Sequence, residues 1–174
     1  MSQVCCQAAL RLALVALAVA VSARPALTQT IFRRAIVDST GELHIEWSDG
    51  RSALAPRDSG QVAFDQVKVS ADHRTLGWVA LYTNSGPSYP LPLKLILLRA
   101  GGQRTEIGNA FPIWQWGFTK DGRSVVIRQA PVHGDLPTYY EHRDIATGVN
   151  CIEEVARRWT LQPFSGSWCQ TLYP

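Results

Sequence analysis

An all-β fold of antiparallel sheets in repeated units is what this sequence predicts, on three observations. A pattern of strand, turn, strand, loop and strand occurs twice. It reads FDQVKVSADHRTLGWVALY then LKLILLRAGG in the first copy, and IWQWGFTKDGRSVVIRQ then YYEHRDIATG in the second. Short apolar or alternating runs are punctuated by Gly, Pro, Asn and Asp, which is the chemistry of strands joined by turns. Helical periodicity is almost absent: the one candidate helix, Glu153 to Trp159, is one or two turns long and reads equally well as a strand.

Taken in order, Ile31 to Val37 and Glu42 to Trp47 read as strands around the turn Asp38-Ser39-Thr40-Gly41, which mirrors Asp144 to Gly148 near the other end. Asp49-Gly50-Arg51 marks a further hairpin turn, and Ala55 to Gly60 a loop. Two fuller units follow, at about 62–108 and 111–153. In the first, Leu76, Trp78, Ala80 and Tyr82 fall on one face of a strand and Val79 and Leu81 on the other. Both faces are apolar, so the strand is interior, as are Leu93 to Leu98 and Val125 to Ile127. Asp72 recurs as Asp121, 49 positions on, and Gly102 as Gly148, 46 positions on. A multi-strand repeat of roughly 40 to 50 residues is the signature of a propeller blade. About two and a half blades do not close a ring. Such a chain must cover its end blades, pair with a second chain, or curl into a β-sandwich, which is the alternative architecture.

The start of the chain predicts a compartment. The run Leu12 to Val21 is unbroken and apolar, and Val21-Ser22-Ala23 presents the small residues that signal peptidase accepts, so residues 1–23 read as a signal peptide. A periplasmic or secreted protein is expected, with one domain over 24–174 and no membrane span after cleavage. Arg11 is the only charged residue before Arg24, so cleavage takes the net charge from +3 to +2. With basic residues clustered only in pairs, a nucleic-acid surface is not expected. Cys151 and Cys169 are the cysteines that survive processing, and an even pair in an oxidising compartment, without metal spacing, reads as a disulfide.

The segments VSADHRTLGW, FTKDGRSVVI and RDIATG resemble the blade repeats of periplasmic propeller proteins of the TolB type, similar in kind to WD40 repeats. Across about residues 62–148, the order GWVALY, SYPLPLKLIL, PIWQWGF, VHGDL and YEHRDIATG also resembles a small uncharacterised family of exported bacterial proteins. Its members often carry cysteines just before the SYP segment, where Asn84-Ser85-Gly86-Pro87 stands here. These resemblances imply a fold and a compartment and bring no activity.

The chain has no GxSxG elbow, HExxH, Walker loop, GxGxxG, EF-hand loop or zinc-type cysteine spacing, so no catalytic residue, cofactor or metal is expected. His133-Gly134-Asp135 places a titratable pair in a long loop, and Glu141-His142-Arg143-Asp144 reads as a charged strand edge with Glu141 and Arg143 sharing a face. The aromatic residues make the better site. Trp114 and Trp116 are expected to alternate onto one face with Phe118, beneath a rim formed by Tyr89, His133, Asp135 and Tyr140, with Tyr82 and Tyr139 also brought near it. Gly86 to Pro92 is stiffened by three prolines and presents Tyr89 in an extended form. The expected function is non-enzymatic binding of a protein or glycan; the alternative is a small envelope hydrolase using His133 with Asp135, or Glu141 with His142.

Overall fold

The computed structural model describes residues 30–84, 89–108, 111–133 and 137–155. The described residues form strands, turns and loops and no helix. The first sheet contains β1 (Phe32–Val37), β2 (Leu43–Trp47) and β3 (Ser52–Leu54). The middle sheet contains β4 (Gln61–Val69), β5 (Thr75–Tyr82), β6 (Leu91–Arg99) and β7 (Arg104–Gly108). The last contains β8 (Ile113–Phe118), β9 (Ser124–Gln129), β10 (Thr138–Asp144) and β11 (Asn150–Val155). Each sheet is an antiparallel meander in which chain neighbours are sheet neighbours. The stretch that reads as helix or strand from sequence is strand as far as Val155; residues 156–174, with Cys169, lie outside the described residues, as do 1–29 with the expected signal peptide.

The sheets stack face to face, with the middle one covered on both sides. Leu76, Trp78, Ala80 and Ile96 of the middle sheet pack with Phe32, Leu43 and Ile45 of the first. Val79, Leu95, Leu97 and Ile107, on its other face, pack with Ile113, Trp116, Val125 and Ile127 of the last. The two-faced apolar pattern of β5 therefore has its physical cause: each face is a core, and each large side chain buried there contributes about 1.5–3 kcal/mol relative to exposure. β1 lies against β4 and β5, and β8 against β4 and β6. Open antiparallel sheets stacked in this way are consistent with a blade-like or a sandwich arrangement.

The two Asp-x-Arg turns are counterparts in detail. In the middle sheet, Ser70 Oγ donates to Asp72 Oδ1 at 2.6 Å, and the Arg74 amide donates to the same oxygen at 3.0 Å. In the last sheet, Thr119 Oγ1 donates to Asp121 Oδ1 at 2.7 Å and the Arg123 amide at 3.1 Å. The arginine carbonyls then accept from Ala100 N at 2.8 Å and Ile145 N at 2.9 Å, tying each turn to the next hairpin of its own sheet. The residue between Asp and Arg takes a left-handed backbone in both, His73 at φ 58° and Gly122 at φ 70°. Both face the preceding sheet. His73 Nδ1 lies 2.8 Å from the Phe32 carbonyl, while Gly122 lies beside Asp72, where a Cβ would stand in ordinary contact with the carboxylate at 3.6 Å.

The interface between the middle and last sheets also explains a strand-interior glycine. At Gly77 a Cβ would overlap Trp116 Cη2 and stand 2.9 Å from Leu97 Cδ2. A missing side chain there lets the indole press onto the sheet backbone.

Candidate functional site

The long loops of the middle and last sheets, between β5 and β6 and between β9 and β10, leave their strands at the same end of the stack. The antiparallel meander dictates this, because β5 and β9 run in corresponding positions away from the Asp-x-Arg turns. Tyr89 stands just before β6 and is 56% exposed. Its ring lies 6.4 Å, centroid to centroid, from that of half-buried Trp114 at an interplanar angle of 58°. The β5–β6 loop of the middle sheet is thereby joined to the first strand of the last sheet through an aromatic contact. Nearby in the register, Phe111 and Tyr139 stack at 5.3 Å and 6°.

Trp114 and Trp116 are not on one face as the alternation predicts. The register of β8 against β9 shifts between Ile113 and Gln115, so β8 spends an extra residue at Trp114. Ile113 pairs with Gln129 and Trp116 with Ile127, which puts Ile113, not Trp114, on the buried face with Trp116. Trp116 is 2% exposed and packs edge-on against Phe118 at 5.1 Å; it belongs to the core. Trp114 instead donates its indole N–H to the Ala130 carbonyl at 2.8 Å. That bond consumes its polar tip and fixes its ring beside the loop.

A bulge in β4 holds both tryptophans. Gln66 adopts φ 48° where the pairing of β4 with β5 shifts between Asp65 and Lys68. From there its amide donates to the Trp114 carbonyl at 3.2 Å, and its own carbonyl accepts from Trp116 Nε1 at 3.1 Å. Lys68 Nζ donates to the Trp116 carbonyl and lies 5.0 Å from the centre of its ring; burial lowers the Lys68 pKa. Neither Gln66 nor Lys68 is marked in the sequence, since a bulge is invisible to period-2 alternation.

The remaining expected residues divide. His133 is exposed in the β9–β10 loop at the aromatic end, while Asp135 lies outside the described residues. Tyr140 is half-buried on β10 and pairs with Arg128, whereas Tyr139 pairs with Gln129. Successive residues point to opposite faces, so the stacked pair at the loop end uses Tyr139 and not Tyr140. Glu141 and Arg143 do share a face, bonded at 2.7 Å, but this is no charged edge. Strand β10 runs between β9 and β11, and Glu141 is 0% exposed. Its carboxylate also accepts from Gln129 Nε2 at 3.2 Å and Asn150 Nδ2 at 3.1 Å, a set of donors that makes its burial tolerable. Cys151, on β11, is 7% exposed.

One further polar cluster closes the loop after β3. Asp58 accepts from Tyr82 Oη at 2.6 Å and Lys94 Nζ at 2.5 Å, and Lys94 and Arg104 each reach Glu106. The bonds from Lys94 and Tyr82 hold the Asp58 pKa down to about 2. Burial first, and then Asp58, push the Tyr82 phenol up to about 12, so it is a fixed donor and not a base at neutral pH.

Among the described residues no three His, Cys, Asp or Glu side chains gather in a way that could hold a metal ion, and no helix is long and apolar enough to cross a membrane. No protein-family model, curated protein or solved structure matches this chain.

Proposed function

We propose that this chain is an exported, non-enzymatic binding module that holds a protein or glycan at the aromatic end of its stacked sheets. The observation that carries the reading is the contact between exposed Tyr89 and Trp114: two rings from different sheets, one with its polar tip already committed, offer apolar faces to a partner. Such rigid aromatic surfaces bury large areas at little entropic cost. The stacked meanders and matched turns support the likeness to TolB-type blades, and blades serve as scaffolds for loops. Under this reading residues 1–23 are removed, and Cys151 pairs with Cys169, which the burial of Cys151 supports. The hydrolase alternative has less to stand on: Glu141 and His142 point to opposite faces of β10, and the Glu141 carboxylate accepts from Gln129, Arg143 and Asn150.

The test is a titration of the full mature chain with oligosaccharides and with envelope proteins, followed by tryptophan fluorescence, in wild type and Tyr89→Ala. Binding that weakens about tenfold or more, equivalent to about 1.4 kcal/mol, with an unchanged thermal midpoint supports the aromatic end as the site. Equal binding by both proteins refutes it.

A further inference from the structure

At the opposite end of the sheets, the turns of the middle and last sheets enclose a cleft of about 600 Å³. Its walls carry Arg74, Arg99 and Arg123, with Asp72 and Asp144 as the acidic residues. A volume of that order suits a small ligand. Arg74 and Arg123 reach it from corresponding positions of the two Asp-x-Arg turns, so the repeat itself brings a pair of guanidinium groups to one place.

The backbones of those two arginines are fixed on both sides, by the bonds from their amides to Asp72 and Asp121 and by those from Ala100 and Ile145 to their carbonyls. Their side chains are exposed, and among the described residues no carboxylate lies within salt-bridge distance of either guanidinium and no hydrogen bond engages it, although each interacts at longer range with the aspartate of its own turn. Arg51, in the Asp-Gly-Arg turn between β2 and β3 of the first sheet, differs: it bonds Asp49 at 2.7 Å and lies over the Trp47 ring. Arg99 spends one nitrogen on Gln103, at 3.2 Å. The two carboxylates lining the cleft are themselves engaged. Asp72 Oδ1 accepts from Ser70 and Arg74, and Asp144 Oδ1 accepts from the amides of Ala146 and Thr147. Their function is to build the turns, and they leave forked donors facing the cleft.

We propose that this cleft binds a small ligand bearing two or more oxyanion groups, gripped by Arg74 and Arg123 and assisted by Arg99. A guanidinium matches a phosphate or carboxylate with two parallel N–H donors, and two such forks on fixed backbones select for a multivalent anion over a single one. The site stands a strand's length from Tyr89 and is independent of what the aromatic end holds.

The test is calorimetric titration of the full chain at low salt with pyrophosphate and, separately, with citrate, which distinguishes a phosphorylated ligand from a polycarboxylate. Wild type is expected to bind at least one of the two with a dissociation constant below about 1 mM. Arg74→Gln/Arg123→Gln is expected to weaken that binding about tenfold or more, while Arg51→Gln leaves it unchanged. The Gln variants keep every backbone bond of the turns, so the thermal midpoint without ligand should hold within about 2 °C; the single variant Arg123→Gln gives the same readout if the pair is less stable. No binding of either anion, undiminished binding by the arginine variants, or an equal loss in Arg51→Gln would each overturn the proposal.

Discussion

Replacing Gly77 by alanine tests the packing of the middle sheet against the last at a single atom. The new methyl would overlap Trp116 Cη2 and approach Leu97 Cδ2 to 2.9 Å. Trp116 has little room to yield, since its indole N–H is bonded to Gln66 and Lys68 lies over its ring. Overpacking of this kind costs about 1–3 kcal/mol. The smaller freedom of alanine in the unfolded chain offsets about 0.4–1 kcal/mol of that. Because Trp116 is held in place, the overpacking cost falls in the upper part of its range, about 2–3 kcal/mol, so a net loss of about 1–2.6 kcal/mol remains, which at roughly 2–4 °C per kcal/mol lowers the thermal midpoint by about 2–10 °C. Trp116→Phe removes both Trp116 atoms that crowd the site, so the double variant should be less unstable than the two single losses combined, by about 1 kcal/mol. Urea unfolding of all four proteins, followed by circular dichroism, measures the cycle. A Gly77→Ala stability within about 0.5 kcal/mol of wild type, or strict additivity, would refute the close approach.

Acid titration should expose the Asp58 cluster. A carboxyl held at about 2, against an ordinary 3.8, stabilises the fold above about pH 4, and that contribution fades as pH falls through about 2. Asp58→Asn should therefore be less stable at neutral pH and lose less stability than wild type between pH 4 and 2, as read from midpoints across that range. For export and closure, intact-mass analysis of native protein should find Arg24 first and Cys151 joined to Cys169. Retention of residues 1–23, or thiol labelling of both cysteines, would count against these two readings.

Much of the fold was legible in the amino-acid order because its causes are local. The alternation through Leu76, Trp78 and Ala80 against Val79 and Leu81 follows from the two-residue period of a strand, and both faces proved to be core. The Asp-x-Arg turns were legible because Asp caps its own turn through nearby amides, whatever lies beyond. Tyr89 and Trp114 share the aromatic end because the β5–β6 loop and the start of β8 both lie away from the Asp-x-Arg turns. Tertiary structure decided what depends on partners distant in sequence. The shift at Ile113 to Gln115 moved Trp114 away from the Trp116 face, because strand pairing, not local pattern, sets where an extra residue falls. Glu141 is buried because β10 is flanked on both sides and Gln129, Arg143 and Asn150 meet its carboxylate. The need for glycine at position 77 comes from Trp116, which reaches it from the next sheet. Arg74 and Arg123 line one cleft only because the middle and last sheets stack. Period and turn chemistry act over a few residues; registers, covered faces and shared clefts arise only when sheets meet.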